Sequence, residues 1–226
     1  MTIRAAESRK TRVDVVYARI LDELMTGEQA PDAVLSITEL ERRYEVSQTP
    51  IREALARLEH TGLVRRHALR GYRVAPLFTD AELLKLMEAR LVLEPPMAHE
   101  AAQRVTPEFL DELGSTVVDL ERVAGAAGSE DPESFRTYWS SDDEFHRLIA
   151  KQADNEHLFT AYDSMGAHIQ RFRVIASHGY ASRASEAAAV EHRRVLDALH
   201  ARDAEAAATH MRAHIDGARQ RLIASR

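Results

Sequence analysis

Residues 47 to 64 read SQTPIREALARLEHTGLV, and the fold of the N-terminal part of the chain follows from this stretch. Thr49 suits a helix N-cap, and Pro50 suits the first helical position because its ring fixes φ and it has no N–H to satisfy. Apolar residues then recur at spacings of three and four, which predicts one buried helix face. That face consists of Ile51, Ala54, Leu55 and Leu58. Gly62 ends the helix, since glycine readily adopts the left-handed conformation of a helix stop.

The elements on both sides of this helix are predicted from similar signals. Residues 13–25 repeat apolar positions at helical spacing and are followed by Gly27 as a stop, and residues 37–44 form a second short helix behind a capping box. After the central helix, residues 63–67 and 72–75 read as the two strands of a hairpin. Helix, turn, helix and hairpin in this order are a winged helix-turn-helix, whose usual partner is duplex DNA.

The exposed front of the central helix and the hairpin supply the candidate DNA contacts. A glutamine side chain can pair with an adenine edge, an arginine with a guanine edge, and a threonine hydroxyl with a phosphate oxygen. The predicted contacts are Gln48, Thr49, Arg52 and Arg57 on the helix, and Arg70 and Gly71 in the hairpin. The alternative is that Arg52 and Arg57 only solvate a surface helix.

Two segments of this region resemble a known family. Residues 47–64 and the hairpin end RGYRV at residues 70–74 are similar to the GntR family of bacterial transcription regulators, and the resemblance covers most of residues 13–76. It implies a DNA-binding N-terminal domain. Gln48 stands where the family usually has an arginine, which changes the expected operator preference. Glu45 stands where a turn glycine is common, which costs strain if its φ is positive.

Length and charge divide the 226-residue chain into two predicted domains. Residues 1–76 carry 13 Lys and Arg against 11 Asp and Glu, a net charge of +2, whereas residues 77–226 carry 17 against 25, a net charge of −8.

The chain has no cysteine, which excludes disulfides and thiolate metal ligands. No apolar run is long enough to span a membrane, and the N-terminus does not resemble a signal peptide. We therefore expect a cytoplasmic protein without a membrane partner.

Residues 77–226 show helical periodicity without alternating strand patterns, which predicts an all-α domain. Caps and breakers divide it into six helices, with a kink or break at Pro95 and Pro96 in the first. The helices are expected over about residues 79–103, 106–125, from 131 onward, 155–177, 185–201 and 204–224. The predicted fold class is therefore mainly α, a winged helix-turn-helix followed by a six-helix bundle.

Acidic and histidine side chains fall on the inward faces of these helices. Asp142 lies on the apolar seam of the third helix with His146 one turn later, and His192 lies on the seam of the fifth. His214 flanks the buried stripe of the last helix, and His210 lies one turn before it, so the pattern does not choose between them. Three imidazoles and a carboxylate suit zinc, with manganese, nickel or iron as alternatives. The competing interpretation is that the histidines pack in the core without a metal.

Residues 79–220 resemble the ligand-sensing FCD domain of the FadR subfamily, in its shorter VanR-like branch. Many members of that subfamily bind a divalent metal through an Asp-x-x-x-His pair and two later histidines. The matching positions are Asp142, His146, His192 and His214. The resemblance thus implies a metal site at these four residues, with His210 in place of His214 as the remaining alternative.

The same resemblance points to an effector site. Arg90 matches an arginine that commonly faces the effector cavity in the family, and a guanidinium beside a metal can hold a carboxylate through two hydrogen bonds. The alternative is an ion pair between Arg90 and Glu94, one turn away. His168 and Arg173 are further candidates for effector binding.

Together these features predict a metabolite-responsive transcription regulator that acts as a repressor and binds a palindromic operator as a homodimer. A small carboxylate or sugar acid at the metal-containing pocket is expected to change its affinity for double-stranded DNA. The alternatives are an α-helical metalloenzyme and a regulator whose second domain only dimerises. We expect no enzyme activity, because a metalloenzyme leaves residues 36–74 unexplained and no second carboxylate stands out as a general base.

Overall fold

The computed structural model describes residues 11–68, 71–125, 132–166 and 183–224. The chain divides into two units, Met1–Pro76 and Leu77–Arg226. The described residues contain nine α-helices and three short strands, which confirms the mainly α fold class. None of these helices combines the length and the apolar composition that crossing a membrane requires.

The first unit has the element order of a winged helix-turn-helix. Its elements are α1 (Arg12–Met25), β1 (Val34–Leu35), α2 (Ile37–Tyr44), α3 (Gln48–His60), β2 (Val64–His67) and β3 (Gly71–Val74). The predicted inner face of α3 is buried and packs against α1. Gly27 and Gly62 follow α1 and α3 with φ of 79° and 72°, so both act as the predicted left-handed stops.

The start of α3 differs from the prediction. The helix begins at Gln48 behind Ser47, which makes no side-chain capping hydrogen bond, so the predicted Thr49 cap is wrong. Pro50 is therefore the third helical residue, and it is tolerated because the first four N–H groups of a helix have no partner within it. Glu45 adopts the left-handed conformation, with φ 55° and ψ 41°, and carries strain that a glycine at this turn would avoid.

A third strand, β1, is absent from the sequence prediction. It pairs antiparallel with β3, through Val34 opposite Arg73 and Leu35 opposite Tyr72, and β3 pairs antiparallel with β2 on its other side. The strand has two residues, too few for an alternating pattern to be visible in the sequence. The predicted hairpin is therefore part of a three-stranded sheet.

The described part of the second unit is helical. Its helices are α4 (Asp80–Gln103), α5 (Pro107–Gly125), α6 (Pro132–Gln152), α7 (Glu156–Met165), α8 (Arg183–His200) and α9 (Ala204–Ala224). α4 packs against α6 and α9, α5 packs against α6 and α8, and α8 packs against α9. Phe145, Ile149, Val195 and Met211 lie in the apolar core that these contacts form.

α4 is continuous through Pro95 and Pro96, so of the predicted kink or break the break is wrong, and the kink stays a prediction. The residues that follow the prolines lie in the core: Met97, Ala98, Ala101 and Ala102 are buried. An interior proline costs a helix roughly 3 kcal/mol, and burial of this apolar turn offsets that cost.

α7 is shorter than the sequence predicts. It ends at Met165 because Gly166 adopts the left-handed conformation, with φ 53° and ψ 28°, whereas the periodicity extends the helix to residue 177. Residues 167–182 lie outside the described ranges.

Candidate metal centre and nucleic-acid interface

Four buried polar side chains meet inside the second unit. Asp142 and His146 come from α6, His192 from α8 and His214 from α9. Each side chain offers one ligand atom, and these atoms all lie within 4.8 Å of one another. All four residues are at most 2% exposed. Removing so many polar groups from water is costly unless each has a partner.

Burial separates the two histidines between which the sequence pattern did not choose. His214 is fully buried on the inner stripe of α9, beside Met211 and Ile215, and belongs to the group of four. His210 is half-buried and lies outside that group. The buried face of α9 therefore includes His214, which the sequence pattern had placed at its edge.

The Nδ1 atoms of two of the histidines face hydrogen-bond acceptors. Nδ1 of His192 lies 2.7 Å from the carbonyl oxygen of Ala188. Nδ1 of His146 lies 2.6 Å from Oε2 of Glu94. The carbonyl oxygen accepts and does not donate, so Nδ1 of His192 carries the proton. Nε2 of His146 lies 3.4 Å from a nitrogen of Arg90, which can only donate, so this Nε2 has the lone pair and Nδ1 carries the proton.

The third histidine is held in the same way by a carboxylate from another helix. Nδ1 of His214 donates to Oε2 of Glu191 at 2.9 Å, and Arg221 donates to both oxygens of Glu191, at 2.7 and 2.8 Å. Burial lowers the pKa of His214 well below its usual range, and the neighbouring His192 and His146 lower it further. His214 is therefore a neutral imidazole, the form that binds metal ions.

The three Nε2 atoms converge. Nε2 of His146 lies 3.2 Å from Nε2 of His214 and 3.4 Å from Nε2 of His192, and Oδ1 of Asp142 lies 3.5 Å from Nε2 of His192. Two lone pairs that face each other cannot share a hydrogen bond. Adjacent ligands of a metal with bonds of 2.0 to 2.1 Å lie about 3.0 to 3.4 Å apart. The donors therefore fit a divalent cation.

Arg90 lies beside this cluster and is fully buried. Its Nε and one terminal nitrogen donate to the two oxygens of Glu94, at 2.5 and 3.2 Å, so the ion pair considered from the sequence is formed. The nitrogen that donates to Glu94 at 3.2 Å also lies 3.4 Å from Nε2 of His146, and the other terminal nitrogen faces the sulfur of Met87 at 3.9 Å. Burial lowers the pKa of Arg90, but the charge of Glu94 and its hydrogen bonds raise it more, so the group stays charged.

Sequence reasoning gave no role beside the metal ligands to two carboxylates, Glu94 and Glu191. Glu94 had a signal, since it lies one turn after Arg90. Glu191 had none, because its neighbour His192 faces the core and its own contacts with α9 depend on how two helices pack. Three other predicted site residues, Arg70, His168 and Arg173, lie outside the described residues.

The front of α3 is accessible within the first unit. Thr49, Arg52 and Gly71 are exposed, and Gln48 is half-buried. The side-chain amide of Gln48 donates to Oε2 of Glu41 on α2 at 2.9 Å, and its oxygen accepts a hydrogen bond from Arg52 at 3.3 Å. The side chains of the two predicted base-reading residues are thus joined to each other and to an acidic residue.

Arg57 is exposed but engaged with α1. Its guanidinium donates to Oδ1 of Asp14 at 2.9 Å and lies 4.5 Å from the centre of the Tyr17 ring. These contacts hold the C-terminal half of α3 to the start of α1. Arg57 stays a predicted DNA contact, and Arg52 lies nearer the N-terminus of α3.

Comparison with known proteins finds matches to both units. Residues 12–74 match the family of bacterial regulatory proteins called gntR, and residues 85–217 match the FCD domain. The chain is 28% identical over 228 residues to the HTH-type transcriptional regulator YcbG of Bacillus subtilis (strain 168), covering 96% of this chain and 92% of the relative. It is 28% identical over 214 residues to the "Probable D-xylose utilization operon transcriptional repressor" of Paenarthrobacter nicotinovorans, covering 93% and 90%. Its fold is similar to that of E. coli McbR/YncC, with a TM-score of 0.72, 20% identity and coverage of 96% and 97%.

Proposed function

The chain is a transcription regulator of the GntR family with an FCD domain, and we propose that it represses its target genes by binding a palindromic operator as a homodimer. A relative named as a repressor matches it across both units. One α3 per subunit recognises one half-site, and a two-fold dimer presents two such helices to a palindrome.

The observation that carries DNA recognition is the exposed front of α3. Arg52 can form two hydrogen bonds with a guanine edge and Gln48 with an adenine edge, while Thr49 can donate to a phosphate oxygen. Gly71 allows the hairpin backbone a φ of 77° and leaves room for close approach. The inner face of α3 is buried, so the helix can enter a groove without exposing its core.

A divalent metal ion is the second part of the proposal. Asp142, His146, His192 and His214 would hold it, and the support is that three Nε2 lone pairs and one carboxylate oxygen converge in a buried site. Zinc is the first candidate for nitrogen-rich ligands, and manganese, nickel or iron also bind such a set. When bound, the ion supplies positive charge and coordination positions that a carboxylate ligand can take.

The effector is proposed to be a small carboxylate or sugar acid that contacts Arg90. Two nitrogens of Arg90 bind Glu94, whereas the remaining terminal nitrogen has, among the described residues, the weak acceptor sulfur of Met87 as its partner. A carboxylate oxygen would give this buried, charged donor a stronger hydrogen-bond acceptor than the sulfur. An effector changes operator affinity only if it binds the DNA-competent and DNA-incompetent states differently.

The test is selection of bound duplexes from a random DNA library with the full-length protein, followed by anisotropy titration at defined salt. We expect the selected sequences to contain two inverted half-sites and to bind at least about 10³-fold more tightly than unrelated DNA. The Arg52→Ala variant should lose this preference. If no selected sequence binds more tightly than the unrelated duplex, even at low salt, the proposal that this regulator recognises a specific operator is contradicted.

A further inference from the structure

Gly217 lies on α9 where the carboxylate of Glu191 rests against the helix. A Cβ atom at Gly217 would lie 2.6 Å from Oε1 of Glu191 and 3.0 Å from a terminal nitrogen of Arg221. Real Cβ atoms do not approach other atoms to 2.6 Å, so any residue other than glycine displaces the carboxylate. The missing side chain makes room for Glu191.

The carboxylate in this space links three residues of two helices. It accepts Nδ1–H of His214 at 2.9 Å and two hydrogen bonds from Arg221 at 2.7 and 2.8 Å. His214, Gly217 and Arg221 follow one another at spacings of three and four, so they lie on one face of α9. Glu191 comes from α8 and reaches across to that face.

We propose that Glu191 is the positioning residue of the candidate metal centre. Arg221 holds its carboxylate in place, and the absence of a side chain at Gly217 leaves the space that it occupies. By accepting a hydrogen bond from Nδ1–H of His214, Glu191 directs the Nε2 lone pair of that ring toward Asp142, His146 and His192. A carboxylate behind an imidazole also raises the basicity of the ligating nitrogen. The inference rests on the metal-binding part of the proposed function.

Glycine is less favourable than alanine within a helix, so its presence at position 217 agrees with the need for space beside Glu191. Glu191 and Arg221 are 19% and 22% exposed, so solvent screens their ion pair in part. A second imidazole has the same kind of support, since Glu94 and Arg90 lie behind His146.

The substitution Gly217→Ala tests the inference without removing any ligand or hydrogen-bonding group. The new methyl group meets the far end of a flexible side chain, the carboxylate of Glu191, so the protein can fold with this carboxylate displaced. The matched control is Gly114→Ala on α5, where the Cβ position has no described atom within 4 Å. Both changes raise helix propensity equally.

The first readout is zinc affinity, measured by competition with a chromophoric chelator. Loss of a residue behind a ligand typically weakens metal binding by about 10- to 100-fold. We expect this loss in Gly217→Ala and in Glu191→Ala. We expect wild-type affinity in Gly114→Ala and in Glu121→Ala, which removes a carboxylate that Arg193 binds at 2.7 and 2.9 Å. Equal affinity in all four variants and the wild type would overturn the inference.

The second readout is the tautomer of His214 in the metal-free protein, from long-range proton–nitrogen NMR. We expect the Nδ1–H form in the wild type and in Gly114→Ala, and a mixture of tautomers in Gly217→Ala. A purely structural role of Glu191 would change the melting temperature and leave the tautomer unchanged, which overturns the inference. If the wild-type protein binds no zinc, the proposed metal site is overturned. The tautomer of His214 then still tests whether Glu191 positions this ring.

Discussion

Oε2 of Glu94 lies 2.6 Å from Nδ1 of His146 in the core of the second unit. The same carboxylate accepts two hydrogen bonds from Arg90, and all three side chains are at most 3% exposed. Glu94 thus compensates a buried guanidinium and also lies against a candidate ligand. Its removal is therefore expected to affect both stability and metal binding.

The first prediction concerns the buried pair. Glu94→Leu leaves the guanidinium of Arg90 without its carboxylate, and breaking a buried ion pair from one side costs about 3 to 5 kcal/mol. We expect a decrease of that size in the free energy of unfolding, measured in urea on metal-free protein. The double variant Arg90→Met with Glu94→Leu should recover most of the loss, because it removes both charges. An unfolding free energy unchanged in the single variant contradicts the ionic network.

The second prediction concerns metal removal. A ligand that binds only the folded state stabilises it by about 2.7 kcal/mol when present at 100 times its dissociation constant. A chelator should therefore lower the melting temperature of the wild type, whereas His192→Ala should melt at the same temperature with or without chelator.

The control for metal removal is His210→Ala, since His210 lies outside the group of four ligands. This variant should retain the metal content and chelator response of the wild type in elemental analysis and melting experiments. Wild-type protein without metal, or His192→Ala with undiminished metal, would support the alternative that these histidines are packed core residues.

Local periodicity explains which features the sequence predicts well. Spacings of three and four located the inner face of α3, and the same spacing placed Asp142 on the inward seam of α6 with His146 one turn later. A residue's face on a helix depends only on its own helix, so it is visible in the sequence.

Contacts between elements are what the sequence did not show. β1 is defined by its pairing with β3, and Glu191 is defined by its approach to Gly217 and His214 on another helix. The uninterrupted course of α4 through Pro95 is a further case, since burial of the following turn overrides a local preference. These features depend on tertiary packing, which a local pattern does not encode.

The third prediction concerns pH. Hydrogen bonds from Thr11 and Arg57 lower the pKa of Asp14 from 3.8 to about 2. A carboxyl whose pKa is lower in the folded state stabilises the fold above its unfolded pKa, and this contribution is lost as the pH falls through the interval between the two values. The difference in melting temperature between wild type and Asp14→Asn should therefore be constant from pH 7 to pH 5 and shrink from pH 4 downward. A difference that grows on acidification contradicts the assigned hydrogen bonds.

The fourth prediction concerns operator choice. Gln48 is oriented by Glu41 and Arg52, and it stands where an arginine would read guanine. Gln48→Arg should shift the preference at one base pair of each half-site from A·T toward G·C, by about 1 to 3 kcal/mol per base pair. Because the two half-sites are symmetric, the change should appear in both halves of the sequences selected from a random library. Arg122→Gln is the control, since Arg122 lies on α5 of the second unit and pairs with Asp119, and it should select the wild-type sequences. Unchanged base ranking in Gln48→Arg would mean that this side chain does not reach the base edges.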